Sequence, residues 1–282
     1  MLTDDHRAWG HAASTGLGFT HHTIVDAHFQ ACREDYLQLL DRAGIQPGWR
    51  VLDAGCGSGD FLPWLAELVG PDGQVSAVDL AAENAALARR RLPGHPALSP
   101  ARVHQGDLRS LPWPDDTFDA VWCANTVQYL DDAELGQVLA ELRRVVRPGG
   151  IVAVKDLDAH LITARPAGPY LFSDFFRAAG ARPGYARQLL RTRDLYRHVE
   201  AAGFRDVRQR TVLIEHFAPL GEAALRFYKA ACARLAAQAG DLGLGAGWEP
   251  FADPESAHHP LDRPDGYIAE GNTLAVGVVP PG

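Results

Sequence analysis

The chain has 282 residues, 46% of them hydrophobic and 22% charged, with a formal net charge of −8. That length suits one large domain with room for a smaller cap, and the composition excludes disordered and fibrous classes. The acidic balance leaves no basic surplus to neutralise phosphates, and no apolar run reaches the roughly 18 residues of a membrane span, so neither a nucleic acid nor a membrane is expected as partner.

The opening Met1–His6 lacks the basic-then-apolar layout of a signal peptide, so a cytoplasmic location is expected. Cys32, Cys56, Cys123 and Cys232 are far apart and form no CxxC or Cys/His cluster; reduced, buried thiols are expected, and no metal site.

Residues up to about 45 read as a helical segment, with apolar positions at Ile24, Phe29, Tyr36, Leu39 and Leu40. Gln46-Pro47-Gly48 punctuates the chain, and 49–53 reads as a buried strand. A helix marked by Phe61, Leu62, Leu65 and Leu68 follows, then a strand over 75–79, a helix over 82–92 and a short strand over 102–105. Residues 118–123 read as a fourth strand, 132–146 as a helix stopped by Pro148-Gly149-Gly150, and 151–154 as a fifth strand. This alternation implies a parallel sheet with helices on both faces. Beyond Asp156 come an aromatic and arginine-rich stretch, a helix over 194–202, a strand over 207–217, a helix over about 221–238, and a closing edge strand over 273–279. The fold class expected is therefore α/β: a Rossmann-like, seven-stranded, mostly parallel sheet with helical cap insertions at about 157–190 and 218–270. Residues 1–45 form an N-terminal segment covering the site, and 46–282 the main domain. The insertions are the natural carriers of specificity, because loops on a rigid sheet hold most binding residues.

The chemistry concentrates at Val51-Leu52-Asp53-Ala54-Gly55-Cys56-Gly57-Ser58-Gly59. An apolar strand, an acid and spaced glycines opening a helix let a ligand approach the backbone closely and face unpaired N–H groups. In open parallel sheets this crevice at the strand ends is where ligands bind. A dinucleotide loop would need its third glycine at position 60, which here is Asp60.

The GxGxG spacing led by Asp53 resembles motif I of the class I S-adenosylmethionine-dependent methyltransferases. The likeness continues through Asp79 and Leu80 at the second strand end, Gly106-Asp107-Leu108, Asn125 to Tyr129 after strand four, and Arg147-Pro148-Gly149-Gly150. It covers about residues 47–156. It implies S-adenosylmethionine as cofactor. Gly55, Gly57 and Gly59 would meet the methionine portion, Asp53 its amino group, Asp79 the ribose hydroxyls and Asp107 the adenine amino group. Leu80, Leu108, Asn125 and Gln128 would complete the site. The implied activity is methylation of a small organic acceptor at oxygen, nitrogen or carbon by a monomer or homodimer. The alternative is a non-methylating cyclisation or isomerisation in the same fold.

Catalytic residues vary with the acceptor and do not follow from the likeness. Among His21, His22, His160, His258 and His259, His160 lies nearest the active end of strand five and is the candidate base. Asp156 and Asp158 lack further ligands that would suggest a metal. The arginines from Arg165 to Arg197 are expected to pair with acids or recognise an anionic acceptor.

Overall fold

The computed structural model describes residues 11–12, 18–19, 22–92 and 94–281. Seven strands make one sheet: β1 Arg50–Ala54, β2 Gln74–Asp79, β3 Val103–Gln105, β4 Phe118–Ala124, β5 Val146–Arg165, β6 Arg205–Phe217 and β7 Tyr267–Val278. Their spatial order is β3-β2-β1-β4-β5-β7-β6; the first five run parallel, and β7 is antiparallel to both neighbours. The order reverses between β1 and β4, where ligands bind in such sheets.

Strand residues alternate between two cores, as the two-residue period of a strand dictates. Val51, Trp122 and Ala153 face a core built with α1 (His22–Asp41), α2 (Leu62–Val69) and α3 (Ala82–Arg91). Leu52, Val121 and Val152 face the opposite core with α4 (Asp132–Val145) and α7 (Leu195–Ala201). Helix α4 starts cleanly because Asp131 and Glu134 form a reciprocal capping box. The first core extends into the cap, made of α5 (Leu171–Ala179), α6 (Tyr185–Arg191) and α8 (Glu222–Asp241). Among the described residues no helix is long and apolar enough to cross a membrane.

Three features depart from the sequence reading. The closing strand is not at the edge: β7 lies between β5 and β6, and every residue from Tyr267 to Gly277 is buried. Strand β5 runs on to Arg165, through the start of the first expected insertion. Among the described residues of the N-terminal segment, His11–Ala12 pairs with Gly18–Phe19 as a two-stranded ribbon ahead of the helix His22–Asp41.

Candidate functional site

The ligand crevice begins where β1 ends. Gly55 and Gly57 adopt φ of 82° and 52°, a left-handed turn that other residues rarely take. The turn brings the Gly55 and Cys56 N–H groups onto the Val78 carbonyl, locking the loop to β2. Beyond it, Gly59 packs on α3, where a Cβ would come within 3.1 Å of the Ala88 Cβ.

Asp79 holds the loop from the second strand. Its Oδ2 accepts from Gly57 N at 2.9 Å, and its Oδ1 accepts from Ala81 N and from Asn84 Nδ2. Burial pushes the Asp79 carboxyl above its usual range, and these donors pull it part of the way back. Asp53 is completely buried under the loop, and its Oδ2 has no hydrogen-bond partner. Burial first, then Asp79 and Asp60, lifts its pKa to about 8. Asp60 is raised too, by burial and by Asp26, which shares the Ser58 hydroxyl with it.

Across the crevice, Asn125 sits at φ 52° and accepts from Lys155 Nζ at 2.7 Å, while Gln128 is buried with its Oε1 unpartnered. Arg191 clamps this turn by donating to the Val127 and Leu130 carbonyls and to Asp132. Gly55, Gly57, Asp79, Asn125 and Gln128 all line one cavity, together with His28 and Phe29 of α1.

Other expected contacts fall elsewhere. Asp107 is held by a two-pronged pair with Arg109, which keeps its carboxyl below the usual range, and it does not line the cavity. Leu108 is buried in the core against α4, and Leu80 is not among the lining residues. His160 also lies outside: its ring bonds Asp158 Oδ1 at 2.9 Å and it borders neither cavity of the site. His259 is buried with Nδ1 accepting from Leu261 N in its own turn. His21 lies outside the described residues, as does the side chain of His22. Of the arginines of 165–197, Arg177 pairs with Asp174, Arg193 and Arg197 with Asp194 and Arg191 with the distant Asp132, while Arg182 lines the cavity under the cap. Asp156 and Asp158 do not converge on a metal cluster among the described residues.

A second cavity of about 490 Å³ lies under the cap. Phe172, Phe175 and Phe176 of α5, with Ile162, Leu189 and Leu235, make it largely apolar. Tyr129, Leu157, Tyr185 and Phe227 line both cavities and so form their common wall. Behind that wall is a polar group no motif announced. His28 stacks on Phe227 at a ring separation of 3.8 Å, and its Nε2 lies 2.9 and 3.0 Å from the two Glu270 oxygens. Asn272 Nδ2 donates to the same carboxylate, Lys155 lies over the Tyr36 ring, and Tyr36 Oη is 3.2 Å from His28 Nε2. The sequence signal for this group was a set of polar residues, Lys155, Glu270 and Asn272, inside apolar strands.

Residues 51–150 match the family model described as a methyltransferase domain. The demethylmenaquinone methyltransferase of Lactobacillus johnsonii is 30% identical over 182 residues, covering 58% of this chain and 70% of that one. Methyltransferase GfsG of Streptomyces halstedii is 32% identical over 120 residues, covering 43% and 42%. Among solved structures, the [4+2]-cyclase SpnF aligns with TM-score 0.51 and 25% identity over 90% of this chain and 83% of that one. The chain belongs to the class I S-adenosylmethionine-dependent methyltransferase family. It spans 35% to 54% of the length of four of the curated relatives it matches.

Proposed function

We propose that the protein binds S-adenosylmethionine in the glycine-loop cavity and transfers its methyl group to a small, largely apolar organic acceptor held under the cap. The observation that carries this reading is the unbalanced acidity of the crevice. Asp60 and Asp79, which line it, and Asp53, buried beneath its loop, all have raised carboxyls, and Arg91, 4.0 Å from Asp60, is itself paired with Asp26. Carboxyls left short of positive charge in a ligand-sized crevice suit a cationic ligand. The orphaned Asp53 Oδ2 suits an ammonium donor, and the open space at Gly57, where a Cβ would meet nothing within 4 Å, suits a close-lying ligand. Asp79, whose two oxygens keep acceptor capacity beyond their loop contacts, suits a pair of hydroxyls.

When bound, the cofactor supplies an electrophilic methyl group. The chain's own contribution is alignment and exclusion of water. The wall of Tyr129, Tyr185, Leu157 and Phe227 brings the two ligands into contact range, and the phenylalanines of α5 keep the acceptor side dry. The test combines calorimetric titration with S-adenosylmethionine and incubation of methyl-labelled cofactor with a metabolite panel. Transfer of label only to protein or tRNA would sink the small-molecule reading. A second reading, cyclisation or isomerisation with the cofactor as a bound electrostatic element, draws on the likeness to SpnF across cap and sheet alike. Acceptor conversion without loss of cofactor would select it.

A further inference from the structure

Resting on that reading, we infer that His28 is the general base of the transfer and that the acceptor presents a hydroxyl, so that the product is an O-methyl ether. Three observations carry this beyond the cofactor site. First, His28 lines the cofactor cavity while its partner Glu270 lines the acceptor cavity, so the pair spans the common wall where a reacting oxygen must sit. Second, Nε2 is engaged by both Glu270 oxygens and neighboured by Tyr36 Oη, so of the two ring nitrogens Nδ1 is the one left to take the acceptor's proton. Third, the ring is fixed by stacking on Phe227, itself part of that wall.

The groups around His28 and its partner Glu270 of β7 are Cys32 and Tyr36 on the same helix as His28, His216 of β6, Tyr228 of α8 and, acting on Glu270, Lys155 of β5. Of these, Glu270 is the anion at hydrogen-bond distance. Its carboxyl is held down to about 2 against the opposing effect of burial, by His28, Asn272 and Lys155. An ionised carboxylate at Nε2 fixes the tautomer with its proton on that nitrogen and stabilises the imidazolium formed when Nδ1 is protonated. In the step itself, the acceptor oxygen forms its bond to the methyl carbon as the carbon–sulfur bond breaks. The bonding pair returns to sulfur, and the hydroxyl proton passes to His28 Nδ1. Glu270 is thus a positioning residue, acting through His28.

The experiment compares wild type with His28→Gln, His28→Ala and Glu270→Gln on a panel of phenols, alcohols, amines and carbon acids, using labelled cofactor. Affinity for S-adenosylhomocysteine and thermal melts are measured in parallel. Label should appear on oxygen, and His28→Gln should lower kcat by roughly 10² to 10⁴-fold, the range of a lost general base. S-adenosylhomocysteine affinity should stay within about threefold of wild type, and added imidazole should restore part of the rate to His28→Ala. Glu270→Gln should lower kcat more than it raises KM and shift the acid limb of the pH–rate profile. Label on nitrogen or carbon, an unchanged pH profile in His28→Gln, or no labelled hydroxyl product from cofactor-bound protein would each overturn the inference and leave the cofactor reading standing. A loss confined to S-adenosylhomocysteine affinity would overturn it too, marking His28 as a cofactor contact. Failure of wild type to bind S-adenosylmethionine would instead refute the underlying proposal. If His28→Gln melts early, the imidazole rescue and the Glu270→Gln profile decide in its place.

Discussion

Gly55 and Gly57, two residues apart on one loop, should respond differently to the same substitution. Alanine at either Gly55 or Gly57 must adopt a left-handed backbone, at φ 82° or 52°, which costs roughly 1–2 kcal/mol. At Gly57 nothing more is lost in the free protein, because a Cβ there meets no atom within 4 Å. At Gly55 the Cβ would lie 2.3 Å from Thr126 Oγ1 and 2.5 Å from its Cγ2. Thr126 cannot swing away freely, since its hydroxyl donates to the carbonyls of Ala124 at 2.9 Å and Gly55 at 3.2 Å. Overpacking of this kind adds about 1–3 kcal/mol. Gly55→Ala should therefore lose roughly 2–5 kcal/mol, a fall in Tm on the order of 3–9 °C. Gly57→Ala should lose only about 1–2 kcal/mol, yet weaken S-adenosylmethionine at least tenfold, about 1.4 kcal/mol, because its methyl group takes ligand space. Scanning calorimetry with and without cofactor reads both effects, since saturating ligand at 100 times Kd adds about 2.7 kcal/mol to a competent protein. A Gly57→Ala protein that keeps the full ligand-induced rise would refute the placement of the ligand against this loop, and a Gly55→Ala protein no less stable than Gly57→Ala would refute the packing argument at Thr126.

Asp53→Asn should flatten the pH dependence of stability. The Asp53 carboxyl rises from 3.8 to about 8 on folding, so the folded state holds an extra proton between those values and loses stability as pH rises through them. Urea unfolding from pH 5 to 8 should show wild type falling more steeply than the variant, by up to about 1.4 kcal/mol per pH unit. Lys155→Met should have its effect at higher pH. Burial lowers the Lys155 ammonium from 10.5 to about 8, so the penalty of burying its charge is present below 8 and is relieved as pH rises to 10.5. The stability of wild type relative to Lys155→Met should climb across that window, and a flat difference would contradict it. Finally, Asp79→Ala should weaken cofactor binding far more than His160→Ala, because Asp79 lines the cavity and His160 does not. Calorimetric titration showing equal effects would count against the assignment.

The glycine-loop half of the candidate site was readable because its information is local. Strand, acid and glycine loop occupy nine consecutive residues, and Asp79 follows on the next strand end, so spacing alone brings them together. Asp107 shows the limit of that reasoning. Its position after a turn matches the likeness, but Arg109, two residues on, captures the carboxylate from outside, and nothing in a spacing reveals that competition. Strand order is equally silent in a linear pattern. The seventh strand is buried on both faces and its small and apolar residues run almost unbroken, a sign of an interior strand. The expected edge position overlooked that sign.

The acceptor half was hidden for a geometric reason that the paired strands β5 and β7 make clear. They pair regularly from Ile151–Val278 to Asp158–Gly271, then resume at Thr163–Ala269. Between these points β5 advances by more residues than β7, so the segment holding His160 bulges out of register. Such irregularities re-aim side chains. Here the bulge turns His160 onto Asp158 and toward solvent, although its position just past strand five made it the natural choice for a base. Opposite the irregularity, on the regular strand, stands Glu270, buried and lining the acceptor cavity. Its partner His28 comes from 242 residues earlier in the chain. Each is an unremarkable residue in its own segment, and only closure of α1 and β7 onto the same wall gives them a shared role. A crevice built from one loop and two strand ends can be recognised by spacing. The acceptor side joins the first helix to the last strand, so its chemistry follows from the fold as a whole.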